Sequence, residues 1–156
     1  MFTAQDMFIK GKGRLLVSLF SLFRVVNAQG PLYDRSELIR WLGESVLYPA
    51  NLLPSPRMHW TAIDADTAKF SFTHKGHFIS FMATFNEIGE IVKLETKRFM
   101  DKKHEAPWII LLSDYKKKGD VMIPVTTEVL WRLPAGDFSY AKFRIEEVEY
   151  GRQIED

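Results

Sequence analysis

Two groups of polar residues have types and spacing that could do chemistry. His74 and His77 flank Lys75-Gly76, and two imidazoles placed this way could bind a divalent metal. A metal site needs three or four ligands, and no carboxylate is close to the pair in sequence, so a solvated pair is the simpler interpretation. Residues 115–120 contain three consecutive lysines, which could meet an anion or a lipid headgroup, although such a run is more often a solvated turn.

Three carboxylates, Asp114, Glu128 and Asp137, stand near aromatic residues in the sequence. A carboxylate beside an aromatic ring in a cleft is typical of acid–base and sugar-binding sites. The chain has no Ser–His–Asp order, no phosphate-binding loop and no zinc-protease helix motif. An enzyme of unknown class is therefore the third hypothesis, and the sequence assigns no catalytic residue, no metal and no cofactor.

Aromatic residues are the clearest excess in the chain, with 4 Trp, 12 Phe and 5 Tyr. Many of them must form the core, but aromatics packed between a helix and a concave sheet often leave a hollow that suits a small apolar ligand. The first hypothesis is therefore a non-catalytic binding domain for a lipid or fatty acid. The residues predicted to line its cavity are Leu38, Trp41, Leu42, Trp60, Phe70, Phe72, Phe81 and Trp131.

Composition bounds the class of protein. The 156 residues, 46% of them apolar, are enough for a single domain over residues 1–156 with a core that needs no disulfide. The chain has no cysteine, which excludes thiol chemistry and Cys-based zinc sites and suits the cytoplasm. A net charge of +1 argues against a general nucleic-acid binder and against a polybasic membrane-surface protein.

The most apolar window, Leu15–Val26, has 12 residues and contains Arg24, so it is too short for a transmembrane helix. With the basic residues before it, the window also has features of a signal peptide, although Arg24 interrupts the apolar stretch. Polar residues recur every third position over residues 14–26, which predicts a buried helix, with a bulged strand as the alternative.

A second helix is predicted over residues 35–48. Asp34 and Glu37 have the spacing of a capping box, the apolar residues that follow share one face, and Pro49 ends the helix. That broad apolar face needs a partner surface in the rest of the chain.

From residue 57 the hydrophobic period changes to two, which predicts strands joined by short turns. Lys75-Gly76 reads as a two-residue hairpin loop, and Pro124 predicts an edge or a bulge in its strand. In one strand, Arg98 shares its face with Val92, Leu94 and Thr96. The predicted strands are 57–63, 67–74, 77–85, 91–100, 108–112, 121–131 and 138–150.

These elements predict an α+β domain with a helical part over about 14–48 and a sheet over about 57–150. Short connections make neighbouring strands antiparallel, so the expected architecture is N-terminal helices packed on a curved antiparallel sheet of six or seven strands, a half-open barrel.

The chain resembles a bacterial domain family of unknown function along nearly its whole length. The stretches that carry the resemblance are Asp6–Phe8, Gly11–Arg14, Asn27–Gly30 with Asp34, Leu38–Trp41, Glu44, Pro49, Leu52-Leu53, Trp60, Pro107-Trp108, Ser113–Tyr115, Ile123-Pro124, Glu128–Trp131 and Leu133–Tyr140.

The resemblance implies a lipoprotein-carrier-like fold, an incomplete antiparallel barrel that can hold acyl chains, and it supplies no catalytic residues. The resemblance also implies an N-terminal portion, often with membrane helices, that we expect to precede the part of the protein given by this chain, and this allows a membrane-associated or periplasmic setting. A sheet that lacks strands has an open edge. The second hypothesis is therefore a structural or protein-interaction module, with a homodimer assembled through that edge.

Overall fold

The computed structural model describes residues 6–9, 12–15, 31–148 and 150. Two 3₁₀ turns, Ser45–Leu47 and Pro49–Leu52, follow the helix. The helix and strands, in chain order, are β1 (Asp6–Ile9), β2 (Lys12–Leu15), α1 (Pro31–Glu44), β3 (Met58–Ala62), β4 (Thr67–His74), β5 (His77–Phe85), β6 (Ile91–Phe99), β7 (Glu105–Lys118), β8 (Val121–Leu133) and β9 (Gly136–Arg144).

Strands β3 to β9 form one open antiparallel sheet in which each strand pairs with the next along the chain, so β3 and β9 are its edges. The predicted α+β fold with a seven-stranded meander is therefore confirmed. The β4–β5 hairpin has the expected two-residue loop, with φ of 47° at Lys75 and 79° at Gly76, as a tight primed turn requires. Strands β1 and β2 form a separate hairpin.

The N-terminal elements differ from the prediction. Helix α1 begins at Pro31, so Asp34 lies inside the helix and is not its N-cap. Proline suits the first helical position because its ring fixes φ, and the N–H that it lacks would have no hydrogen-bond partner within the helix there. The α-helix ends at Glu44 and the chain continues as a 3₁₀ turn. The predicted helix over residues 14–26 is wrong at Arg14 and Leu15, which pair with β1, and its remainder lies outside the described residues.

Two strand lengths also differ. The polar residues up to Lys118 continue β7, because they pair with Val121–Pro124 across a tight turn. Strand β9 ends at Arg144, opposite Thr126 of β8, so Pro124 pairs with β7 alone among the described strands. The proline thus lies in the part of β8 that β9 does not reach, and the ladder with β7 skips the neighbouring Asp114 and Val125, where Asp114 has a φ of 55°.

Helix α1 packs on one face of the sheet, which we call the inner face. Ile39 and Leu42 of α1 are 0% exposed and join one core cluster with Phe70, Phe81 and Trp108 of the sheet, each at most 1% exposed. Alternation along each strand places every second side chain in this cluster, and its burial supplies most of the stability that positions the inner-face residues.

Candidate functional site

The predicted cavity residues lie on α1 or on the inner face, at three depths. Leu42, Phe70 and Phe81 are at most 1% exposed, and Trp131 is 9% exposed. Leu38, Trp60 and Phe72 are half-buried against the same cluster, whereas Trp41 is 41% exposed. The fold thus brings all eight onto one side of the sheet, and their contact with a ligand stays a prediction.

Five aromatic side chains line the inner face from α1 to the edge strand β3, in two sets of ring contacts that meet on β4. We call this set, Trp41, Phe72, Phe70, Trp60 and Phe85, the aromatic strip. Ring centroids are 5.5 Å apart for Trp41 and Phe72, 4.7 Å for Trp60 and Phe70, and 6.2 Å for Trp60 and Phe85. The Trp60 indole donates to the Leu52 carbonyl over 2.7 Å, which fixes that ring against the 3₁₀ turn. The strip therefore has a fixed inner end and a solvent-exposed outer end at Trp41.

A charged side chain, Arg98 of β6, lies on the inner face. Its guanidinium carbon is 4.9 Å from the centroid of the Trp108 ring, a cation–π contact. The Trp108 indole donates to the Tyr140 hydroxyl over 2.8 Å, and the Tyr140 ring stacks on Trp131 at 6.3 Å. We call Arg98, Trp108, Tyr140, Arg40 and Glu44 the Arg98 cluster.

Burial controls the electrostatics of this cluster. It raises the pKa of Glu44 from 4.5 to about 7, an effect that the positive charge of Arg40 opposes. Arg40 Nε lies 3.9 Å from Glu44 Oε1. Burial also lowers the pKa of Arg98, which nevertheless stays charged at neutral pH, and the Tyr140 hydroxyl opposes that shift. The cluster therefore joins a cation to a carboxyl group that is half-protonated near neutrality.

Arg98 has no carboxylate partner of its own. It forms no ion pair with a described carboxylate, and its buried Nε has no hydrogen-bond partner among the described residues. A desolvated cation without a counter-charge is costly, and so is a buried donor without an acceptor. The site can therefore accept an anionic group.

Strands β5 and β6 separate beside this cluster. Their paired residues are Met82–Phe85 and Ile91–Glu95, and beyond them the described backbone ladder stops. The Thr96 side chain instead donates to the Ser80 carbonyl over 2.7 Å. The half of β6 that carries Arg98 thus lacks regular backbone pairing with β5, although it stays paired with β7.

The three carboxylates singled out in the sequence are paired with cations. Asp114 Oδ2 lies 3.0 Å from Arg144 Nη1, Glu128 Oε1 is 3.2 Å from Lys142 Nζ, and Asp137 Oδ1 is 3.0 Å from Arg132 Nε. Hydrogen bonds from Ser139 and Lys142 lower the pKa of Glu128, and the Arg132 bond lowers that of Asp137. These three carboxylates are held by cations at the surface and are not members of the Arg98 cluster.

The other polar candidates also lie on the surface. His74 and His77 are opposite each other across the β4–β5 turn, and no group of three or more metal-ligating residues occurs in the described part of the chain. Lys116 Nζ is 3.8 Å from Asp114 Oδ2, and Lys118 Nζ donates to the Glu146 carbonyl over 3.1 Å. A shallow, open groove of about 410 Å³ lies between the β3–β4 and β5–β6 turns.

Together these features define an α+β domain in which one helix covers the inner face of an open antiparallel sheet. The chain belongs to a family of unknown function (DUF6544), whose model matches residues 1–143. No curated protein and no solved structure gave a significant match. Within the described residues, no helix has both the length and the apolar character needed to cross a bilayer.

Sequence reasoning did not select Arg98 or Glu44 as site residues. The signal for Arg98 was present, because the alternation of β6 placed it in the row of Val92, Leu94 and Thr96. A charge in an otherwise uncharged inward row marks either a buried ion pair or a binding group. Glu44 gave no such signal, since its burial depends on how α1 lies across the sheet.

Proposed function

We propose that this protein is a non-catalytic binding domain for a hydrophobic small molecule of the fatty-acid or lipid class. The ligand lies on the inner face of the sheet, along the margin of α1, with its apolar part on the exposed and half-buried rings of the aromatic strip. This places it in contact with the half-buried members of the predicted set, while Leu42, Phe70 and Phe81 form the floor beneath the helix.

The observation that carries this proposal is the exposure of Trp41. An indole 41% exposed lies against the half-buried ring of Phe72, so the apolar surface of the core continues into solvent. Covering such a surface is favourable by roughly 25 cal/mol per Å² of apolar area. Sites for small apolar ligands combine a surface of this kind with a few polar groups.

A neutral apolar dye, N-phenyl-1-naphthylamine, tests the proposal without involving charge. We expect its fluorescence to rise on binding the wild-type protein, and Trp41→Ala to weaken binding about tenfold, as loss of a large aromatic contact does. The matched control is Phe78→Ala, because Phe78 is 58% exposed and alternates with the inward-facing Ile79 of β5. No dye binding by the wild type, or equal losses in both variants, would reject the proposal.

A second candidate function is assembly through a sheet edge. Strand β9 is an edge of the described sheet, and its Phe138 is 55% exposed. An edge strand with an exposed aromatic is a template for pairing with another strand. We propose, as the alternative, an interaction module that forms a homodimer through β9.

A further inference from the structure

We propose that Arg98 is the anchor for a carboxylate headgroup, so that the ligand is a long-chain carboxylic acid. This inference rests on the proposed function and deepens it, because it names the ligand class. The carboxylate lies against the guanidinium of Arg98, and the acyl chain extends over the inner-face aromatics.

The first argument is the missing counter-charge. Arg98 forms no ion pair with a described carboxylate, and its buried Nε lacks an acceptor among the described residues. A planar guanidinium presents paired N–H donors whose spacing matches the two oxygens of a carboxylate. A bound carboxylate would supply the counter-charge that the described residues do not provide, and it would meet the terminal nitrogens of the guanidinium, because Nε itself is buried.

The second argument is that the guanidinium is already oriented. Trp108 is 0% exposed and supports the guanidinium from one side at 4.9 Å, and the Trp108 indole is itself bonded to Tyr140 over 2.8 Å. An arginine held against a fixed ring loses little side-chain entropy on binding an anion. Such preorganisation is typical of a binding group.

The third argument is the charge balance around the site. Glu44 is the nearby carboxyl group, but it lies 3.9 Å from Arg40, and Glu37 also bonds Arg40. Arg40 therefore pairs with both helix carboxylates, and partial protonation of Glu44 near neutrality weakens its competition for Arg98. The positive charge of Arg98 is left for a ligand.

The fourth argument is the apolar surface beside the charge. The ring centroids of Trp108 and Trp131 are 6.5 Å apart, and the Trp131 ring also stacks on Tyr140. Trp108 borders the guanidinium, and Trp131 and Tyr140 extend the apolar surface from it across β8 and β9 within the same core cluster that contains Phe70. A cation bordered by aromatic rings suits a molecule with an anionic head and an apolar chain, and it suits a small hydrophilic anion less well.

The test compares dodecanoate with 1-dodecanol as competitors for the bound dye, at a pH where the acid is ionised. We expect dodecanoate to compete about tenfold better than the alcohol with the wild type. Arg98→Gln should abolish this preference by weakening dodecanoate binding about tenfold more than dodecanol binding. Arg98→Lys keeps the positive charge but not the paired N–H donors, so it should keep part of the preference. The matched control is Arg132→Gln, a half-exposed arginine bonded to Asp137, which should behave as wild type.

The outcomes separate the two proposals. Equal competition by acid and alcohol, or a preference that survives in Arg98→Gln, would overturn the carboxylate anchor and leave the hydrophobic site standing. If neither compound displaces the dye, the proposed function fails as well. If excess acetate competes as strongly as dodecanoate, the site binds small carboxylates and the acyl chain is not recognised. Circular dichroism of Arg98→Gln checks its fold, and Arg98→Lys gives the answer if that variant does not fold.

Discussion

Gly43 of α1 lies directly against Ile110 of β7. A Cβ atom added at Gly43 would be 2.7 Å from Ile110 Cδ1, which is closer than Cβ atoms approach their neighbours, and in contact with Trp108 Cζ3 at 3.4 Å. The helix therefore rests on the sheet through a glycine at this point. The contact fixes α1 beside Trp108 and so sets the position of both the Arg98 cluster and the outer end of the aromatic strip.

Substitution of Gly43 by alanine should therefore destabilise the protein, although alanine is the better helix former by about 1 kcal/mol. We expect a net loss of about 1–3 kcal/mol in the free energy of unfolding, because the added methyl group overpacks the core. Urea denaturation of Gly43→Ala and of the wild type measures this difference in the free energy of unfolding.

The same contact predicts a rescue. Ile110→Val removes the Cδ1 atom that the new methyl group would meet, so Gly43→Ala should cost less in the Ile110→Val background, by about 1 kcal/mol. Additive effects of the two substitutions would contradict the close contact between α1 and β7.

Glu44 predicts a specific dependence of stability on pH. Its pKa in the folded protein, about 7, lies above its ordinary value of 4.5, so the folded state holds a proton that the unfolded state has released. The contribution of Glu44 to stability is therefore fully present below pH 4.5, falls as the pH rises toward 7, and is lost above it. The slope in this window is at most about 1.4 kcal/mol per pH unit.

The variant Glu44→Gln isolates this effect. The free energy of unfolding of the variant, minus that of the wild type, should rise between pH 4.5 and 7 and be level on either side. Glu87→Gln, at an exposed position in the β5–β6 turn, is the control and should show no such rise. A difference for Glu44→Gln that does not change with pH would show that Glu44 is not desolvated.

Removal of the Tyr140 hydroxyl should lower the stability of the protein while the packing of the ring is kept. Tyr140→Phe keeps the ring that stacks on Trp131 and removes the hydroxyl that accepts the 2.8 Å bond from Trp108. Because Trp108 is 0% exposed, we expect a cost of about 1–2 kcal/mol in the free energy of unfolding. Chemical denaturation measures this cost, and unchanged stability would show that the bond does not hold the indole.

The homodimer hypothesis predicts the molecular mass of the protein in solution. If β9 mediates assembly, light scattering at micromolar concentration gives twice the 18.1 kDa of the chain. Phe138→Lys places a charge on the edge strand and should return the protein to the monomer mass. A wild-type protein that is already monomeric at this concentration would reject this alternative and leave ligand binding unaffected.

The strand order could be predicted from the sequence because each part of the signal is local. Alternation identifies β4 and β5. The Lys75-Gly76 pair then fixes the register between them, because a two-residue hairpin loop needs the positive φ that glycine readily adopts. The predicted start of α1 was wrong because both Pro31 and Asp34 are residues that commonly begin a helix. Tertiary contacts decide which of two such residues is used.

The candidate site could be predicted only in part. Alternation placed Phe70, Phe81 and Arg98 on the inner face, but it could not show which of them α1 would cover. Trp41 belongs to the apolar pattern of the helix yet remains 41% exposed, because α1 turns this residue toward Phe72 at the margin of the covered area. Depth of burial depends on helix orientation, and the close contact at Gly43 that sets this orientation leaves no pattern in the sequence.

The most direct test of ligand binding on the inner face is a nuclear magnetic resonance titration of the four tryptophan indole signals with dodecanoate. Trp41 lies at the outer end of the aromatic strip and Trp108 lies under Arg98, so the account predicts that these two indole signals move in a saturable way. If all four signals stay in place at millimolar dodecanoate, or if they move without saturation, the inner face is only a core and the proposed function is contradicted.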